Sequence, residues 1–89
     1  MRLHVVVRGR VQGVGFRWFV RQAARQRNLA GWVRNLDDGS VEVHAEGTDA
    51  EIAWLRSELA KGPEGAAVDI VEELAGDAAI LARPFAIYR

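Results

Sequence analysis

The sequence of 89 residues contains no cysteine. This excludes disulfides, thiolate metal sites, iron–sulfur clusters and a cysteine nucleophile, and it suits the reducing environment of the cytoplasm. The chain also lacks any apolar run near the roughly 20 residues that span a bilayer. Met1 leads almost directly into a strand pattern, which leaves no room for a signal peptide. We therefore predict one domain over residues 1–89, located in the cytoplasm and not bound to a membrane.

Acidic side chains are absent up to Arg34, although the net charge of the whole chain is zero. Between Val5 and Asn35 there is also no Ser, Thr or His, so this part of the chain offers no obvious nucleophile or general base. The two histidines, His4 and His44, are interpreted as solvated strand residues. No cluster has the spacing of metal ligands.

Hydrophobic periodicity predicts the secondary structure. Residues 2–8 alternate between apolar and polar, as in a half-buried strand. From Phe16 the apolar residues recur at helical spacing, and the face carrying Arg21, Arg25 and Arg27 is interpreted as solvated. The predicted elements are strands at 2–8, 30–36, 41–46, 68–74 and 85–88, and helices from 16 to 28 and from 48 to 62. Residues 75–82 are interpreted as a connection.

Two local patterns refine this prediction. Thr48 and Glu51 form a capping-box pair at the start of the second helix. In the fourth strand Val68 and Ile70 are predicted to share one face, because side chains two residues apart point to the same side of a strand.

The element order β-α-β-β-α-β is that of the ferredoxin-like fold, an α+β sandwich. Right-handed crossovers give an antiparallel sheet of order 4-1-3-2 with both helices on one face, plus the short terminal strand. The first two strands then run parallel, so their carboxyl ends lie at the same edge, about 10 Å apart. We therefore expect the loop at 9–15 and Asn35 to be neighbours.

The segment from Gly9 to Arg17 leads from the first strand into the first helix and contains three glycines. Glycines permit positive φ, so that successive N–H groups can point into one concavity, and the helix start adds further free N–H groups. Arg17 lies in the first helical turn and can bind two oxygens of an anion. The pattern predicts a phosphate cradle, although it also fits a plain strand–helix connection. It is neither a nucleotide P-loop nor a dinucleotide-binding loop.

A cradle without a nucleophile or base suits a substrate that is already activated. A carboxylate leaving group has a pKa of about 4 and departs without being protonated, whereas an alcohol does not. Acyl phosphates meet this condition and phosphate monoesters do not.

The motif from Gly9 to Arg17, Gly-Arg-Val-Gln-Gly-Val-Gly-Phe-Arg, resembles the first signature of the acylphosphatase family. The segment from Gly31 to Asn35, followed by Gly39, Val41 and Gly47, resembles the second. The resemblance spans nearly the whole chain, and it implies that the activity needs neither a metal nor another cofactor. It implies that Arg17 binds the substrate phosphate and that Asn35 orients the attacking water, which the phosphate itself activates. It also implies that the phosphate is cradled by backbone amides of the residues Arg10, Val11, Gln12, Gly13, Val14 and Gly15.

Two alternatives remain at this point. The chain is alternatively a ferredoxin-like module that binds RNA or an anion without catalysis, for which exposed aromatics on the open sheet face are typical. The acidic side chains on that face argue against nucleic acid, and Trp18, Trp32 and Trp54 are interpreted as packing residues. The second alternative is an interaction domain of a longer protein, such as the one that begins hydrogenase-maturation carbamoyltransferases. For the enzyme we expect an acyl phosphate as substrate, inorganic phosphate as product, no nucleic-acid partner and a monomer.

Overall fold

A computed structural model describes residues 1–75 and 80–88. Within these ranges the chain forms the strands β1 (Arg2–Arg10), β2 (Ala30–Asn35), β3 (Val41–Glu46), β4 (Ala67–Glu73) and β5 (Ala86–Tyr88), and the helices α1 (Phe16–Gln26) and α2 (Asp49–Lys61). The predicted βαββαβ order and the terminal strand are confirmed. Part of the predicted connection, residues 76–79, and Arg89 lie outside the described residues.

The sheet has the order β4-β1-β3-β2-β5. β1 pairs antiparallel with β3 and β4, and β2 pairs antiparallel with β3, which confirms the predicted order of four strands. β5 runs parallel to β2 and extends the sheet beyond it, with Ile87 opposite Val33. The sheet is therefore antiparallel in four strands and parallel at this one edge. This arrangement places Ile87 close to the end of β2.

The core lies between the sheet and the two helices. β1 contributes Leu3, Val5 and Val7 from one face, as predicted, and Val6 on the opposite face is also buried. The helices contribute the buried residues Phe16, Val20, Ala23 and Ala24 of α1 and Ile52, Leu55 and Leu59 of α2. Full burial of a large apolar side chain is worth about 1.5–3 kcal/mol each, so this layer holds α1 and the loop before it against the sheet.

The predicted pairing of faces in β4 is wrong. Val68 and Val71 pack against the core, whereas the side chain of Ile70 is 53% exposed. The register of β4 against β1 shifts between Arg8 and Gly9, so the strand contains a β-bulge. A bulge inserts one extra residue and reverses the alternation of faces beyond it, which the sequence pattern does not reveal.

The interpretation of His4 and His44 as solvated is also wrong, because His44 is only 1% exposed and the side chain of His4 only 12%. The ring of His4 stacks on that of His44 with centroids 4.2 Å apart, and Trp32 meets His44 edge-on at 5.6 Å. Nearby, Glu42 accepts a 2.7 Å hydrogen bond from Arg34 Nε, and His4 Nε2 lies 2.7 Å from its other oxygen. Burial tends to raise the Glu42 pKa, but these two partners outweigh it and the pKa lies below its usual value.

Arg25 and Arg27 are exposed, as interpreted from the sequence, but both also contact other parts of the protein. Arg25 Nε donates a 2.8 Å hydrogen bond to the carbonyl of Phe85, and the guanidinium of Arg27 lies 4.1 Å from the centre of the Trp54 ring. Arg21 is half-buried. The first contact fixes α1 to the segment that leads into β5, and the second joins its carboxyl end to α2.

Candidate active site

A cleft of about 520 Å³ opens at the edge of the sheet where β1 and β2 end. Its walls come from the loop after β1, the first turn of α1, the end of β2 and β5. The lining residues are Val11, Gln12, Gly13, Gly15, Phe16, Arg17, Trp18, Asn35 and Ile87. The predicted proximity of the loop and Asn35 is thereby confirmed, since both line the same cleft.

The backbone of the loop adopts conformations that suit glycine. Gly13 has a φ of 75° and Gly15 a φ of 76°, values that other residues reach only at a cost. Gly15 is the N-cap of α1, and it offers no side chain to the free N–H groups of the first turn. No acidic side chain lies in that turn either. The start of α1 therefore keeps its N–H groups and its positive dipole end available to an anion.

The start of α2 provides a contrast within the same chain. Thr48 and Glu51 form the predicted capping box, in which Thr48 Oγ1 accepts from the Glu51 N–H and Glu51 Oε1 accepts from the Thr48 N–H. Asp49 and Glu51 also place negative charge in the first turn of α2. At the start of α2 the backbone N–H groups are satisfied by side chains of the helix itself. At the start of α1 the corresponding N–H groups are left available, and they border the cleft.

Arg17 is the one charged residue among the described residues that line the cleft. Its side chain is half-buried, and it has no hydrogen bond or ion pair with another described residue. Other arginines of the fold are engaged: Arg8 with Asp38 and Glu72, and Arg34 with Glu42. The guanidinium of Arg17 is thus available, beside the start of α1, to bind two oxygens of an anion.

The side chain of Gln12 is committed to the protein. Its Nε2 donates to the carbonyl oxygens of Leu36 at 2.8 Å and Ser40 at 2.9 Å. Both carbonyls belong to the turn between β2 and β3, immediately after Asn35. The family resemblance placed the backbone amide of Gln12 in the cradle. Nothing in the sequence predicted that its side chain would hydrogen-bond to Leu36 and Ser40.

Asn35 is the last residue of β2 and is partly buried in the cleft wall. Its Oδ1 is buried and has no hydrogen-bond partner in the described part of the protein. An unsatisfied buried acceptor costs about 1–3 kcal/mol, so this amide is unlike a residue that merely completes a turn. Its position and its free hydrogen-bonding capacity fit an amide that holds a small polar molecule in the cleft.

Of the other residues predicted for the cradle, some line the cleft and some do not. Val11 is among the residues that line the cleft, although it is only 1% exposed and belongs to the core. Arg10 is exposed and Val14 packs partly against the core, and neither is among the residues that line the cleft.

Sequence reasoning missed Trp18 and Ile87 as cleft residues. For Trp18 the position directly after Arg17 was an available signal, but the residue was interpreted as packing. No signal was available for Ile87, because its place depends on the pairing of β5 with β2.

None of the described lining residues is a carboxylate, a histidine or a hydroxyl. His4 and His44 do not line the cleft, as expected. In the described ranges no group of three or more His, Cys, Asp or Glu residues is arranged to hold a metal ion. Over the same ranges, no helix has the length and apolar character needed to cross a membrane.

The sequence and the fold are both similar to known proteins. The sequence model of one family, described as Acylphosphatase, matches residues 3–87. An acylphosphatase of Koribacter versatilis (strain Ellin345) is 60% identical over 67 residues, which are 75% of this chain and 61% of that relative. The chain thus spans about three fifths of that relative's length.

Solved structures extend the similarity to the whole fold. The crystal structure of an acylphosphatase from Bacillus subtilis superimposes with a TM-score of 0.86 at 35% identity, covering 99% of this chain and 98% of that one. A crystal structure of T. kodakarensis HypF superimposes with a TM-score of 0.83 at 35% identity, covering all of this chain but 12% of HypF. The fold therefore also occurs as a small part of a much longer protein.

Proposed function

This chain belongs to the acylphosphatase family, and we propose that it hydrolyses acyl phosphates to a carboxylate and inorganic phosphate in the cleft between the 9–15 loop and Asn35. The observation that carries the proposal is the juxtaposition of an unpaired guanidinium, an uncapped helix start and a free amide in one cleft. These groups bind and polarise a phosphate, and none of them is a nucleophile. The reaction therefore takes place between the substrate and water.

The phosphate is held from two sides. Backbone N–H groups from Val11 to Gly15 and the start of α1 surround its oxygens, and Arg17 binds two of them through its planar fork. These contacts also stabilise the charge that develops on the equatorial oxygens during phosphoryl transfer. No described lining residue carries negative charge, so nothing in the cleft opposes the anion.

Asn35 positions the water. Its Oδ1 accepts a hydrogen bond from the water, and its amide NH₂ group can donate to a neighbouring oxygen. An amide does not take up the proton at neutral pH, so Asn35 orients and does not act as a base. Correct orientation alone can contribute several orders of magnitude in rate.

Hydrolysis of the acyl phosphate needs water as the only co-reactant. The water oxygen forms a bond to phosphorus, and the bond between phosphorus and the acyl oxygen breaks. The electron pair of that bond leaves with the carboxylate, and the water proton passes to a phosphate oxygen. A carboxylate with a pKa of about 4 leaves without a general acid, which agrees with the lining residues described.

The side chain of Gln12 supports this arrangement without touching the substrate. Its two hydrogen bonds join the loop that cradles the phosphate to the turn that follows Asn35. The distance between the bound phosphorus and the oriented water is therefore set by a direct link between the two walls of the cleft. We regard Gln12 as a positioning residue.

Several properties of the protein accompany this proposal. We propose a cytoplasmic monomer, a single acylphosphatase domain over residues 1–89, that does not bind nucleic acid. The open sheet face supports the last point, because its cations are paired with acids: Arg2 with Glu46, and Arg34 with Glu42. Nucleic-acid binding requires cations that are available to phosphates.

The proposal is tested by hydrolysis of benzoyl phosphate in ¹⁸O-labelled water with EDTA present. We expect turnover, with the label in inorganic phosphate and none in benzoate. Phenyl phosphate, whose leaving group has a pKa of about 10, should not be hydrolysed. Arg17→Lys prepared in parallel controls for contaminating phosphatases. Label in benzoate, or activity that needs a divalent ion, would contradict the proposal.

A further inference from the structure

We propose that the indole ring of Trp18 receives the acyl group of the substrate, so that the enzyme prefers acyl phosphates with a planar aromatic or extended apolar acyl group over acetyl phosphate. This inference rests on the proposed function and names the substrate class for the same cleft. It makes Trp18 a residue that determines specificity.

The exposure of Trp18 is the first observation. Its side chain is 57% exposed although it lies in the first turn of α1, next to the buried Phe16. A single exposed apolar residue is ordinary on a protein surface. Trp18, however, lines the cleft that also contains Arg17, so part of its surface borders the place where the substrate is proposed to bind.

The other two tryptophans are engaged with the protein. Trp32 stacks on Tyr88 with ring centres 5.6 Å apart, and it lies under the guanidinium of Arg34. Trp54 carries the guanidinium of Arg27 at 4.1 Å. Trp18 has no ring or cation–π contact with any described residue. Its ring is therefore available for stacking.

The chemistry of the cleft divides into two parts. The polar part comprises the loop amides, Arg17 and Asn35, which the phosphate and the water occupy. The apolar side chains with accessible surface are Trp18 and the partly buried Ile87, because Val11 and Phe16 are almost completely buried. Trp18 comes from α1 and Ile87 from β5, so the apolar part is formed by two separate elements.

The covalent structure of an acyl phosphate matches the polar and apolar parts of the cleft. In an acyl phosphate a single bridging oxygen separates the phosphorus from the carbonyl carbon. A phosphate held by Arg17 therefore places the acyl group in the same cleft, which Trp18 also lines. A flat acyl group can stack on the indole, which adds affinity beyond the area buried. Acetyl phosphate has one methyl group and gains little from this contact.

The experiment compares kcat/KM for benzoyl phosphate and acetyl phosphate in the wild type, Trp18→Ala and Trp18→Phe. We expect Trp18→Ala to lose about tenfold for benzoyl phosphate relative to acetyl phosphate. Trp18→Phe should retain most of the preference because it keeps an aromatic face. Ile70→Ala is the matched control, since it removes an exposed apolar side chain of β4 that does not line the cleft.

A second measurement uses phosphonates, which the enzyme does not hydrolyse. Benzylphosphonate and methylphosphonate occupy the same phosphate site and differ only in the group that faces Trp18. The inhibition constant of each compound is measured for the wild type and the variants. Trp18→Ala should weaken benzylphosphonate by a similar factor, while methylphosphonate and inorganic phosphate stay within about twofold. The fold of each variant is checked by circular dichroism.

The inference is overturned if the ratio between the two substrates is unchanged in Trp18→Ala. It is overturned equally if both substrates and inorganic phosphate weaken together, because Trp18 would then support the cradle and not the acyl group. In both cases the wild type still hydrolyses acyl phosphates and the proposed function stands. If the wild type hydrolyses neither substrate, the proposed function is wrong and this inference fails with it.

Discussion

The side-chain amide of Gln12 donates a 2.9 Å hydrogen bond to the carbonyl oxygen of Ser40, a residue 28 positions further along the chain. The same amide donates to Leu36, so one side chain ties the loop before α1 to the turn between β2 and β3. Arg17 follows the first of these segments and Asn35 precedes the second. The two groups proposed to act on the substrate are thus held relative to each other by a third residue.

Replacing Gln12 with Met keeps the length of the side chain and removes both donors. We expect kcat for acyl phosphate to fall about 10-fold or more, because small displacements of positioned groups are costly to the rate. The phosphate inhibition constant should change less than kcat, since the loop amides and Arg17 remain. Gln22→Met on the exposed face of α1 is the matched control and should leave both constants unchanged. Equal losses of kcat and phosphate affinity would show a general collapse of the loop.

Inorganic phosphate, the proposed product, should inhibit competitively and raise the Tm, because it binds the folded cradle. Arg17→Lys keeps the charge but loses the planar fork, so we expect weaker phosphate inhibition and a lower kcat. Arg10→Lys, at an exposed residue outside the cleft lining, should behave like the wild type. Unchanged Tm and turnover in saturating phosphate would mean that the loop is only a connection.

The rate should depend little on pH. No histidine or carboxylate is among the described residues that line the cleft, and amides do not titrate, so we expect kcat to vary less than about threefold between about pH 5.5 and 8. The measurement is the full pH profile of kcat for benzoyl phosphate. A limb near pH 6.5 that disappears in His4→Gln would assign a catalytic role to a histidine outside the described cleft and contradict the mechanism.

Asp38 predicts a pH dependence of stability. Hydrogen bonds from the hydroxyl and the backbone N–H of Ser40, and then from Arg8, lower the Asp38 pKa from 3.8 to about 2. Because the folded pKa is depressed, the stabilisation is present above the ordinary value of 3.8 and is lost as the pH falls to about 2. Asp38→Asn should therefore unfold more easily than the wild type at pH 6, with the difference shrinking between about pH 4 and 2. Asp37→Asn in the same turn should show no such convergence in urea titrations.

Much of the architecture could be predicted because local patterns and topology rules agree. Alternation in β1, helical spacing from Phe16 and the Thr48 capping box fix the element order, and the crossover rule then brings the loop close to Asn35. The contrast between the uncapped α1 and the capped α2 is already present in Gly15 and Thr48.

The remaining features depend on contacts between distant residues. The exposure of Ile70 follows from a bulge between β1 and β4, and the burial of His44 follows from the rings of His4 and Trp32 on neighbouring strands. The role of the Gln12 side chain depends on carbonyls that only the folded hairpin presents. No periodicity within one segment encodes such contacts.

The most direct test of the account is the kcat of folded Asn35→Ala on an acyl phosphate, measured together with its phosphate inhibition constant. If Asn35 orients water while Arg17 and the loop hold phosphate, kcat falls by at least about 10²-fold and the inhibition constant stays within a few-fold of the wild type. A kcat near the wild-type value, or a loss of phosphate binding as severe as in Arg17→Lys, would contradict this division of roles.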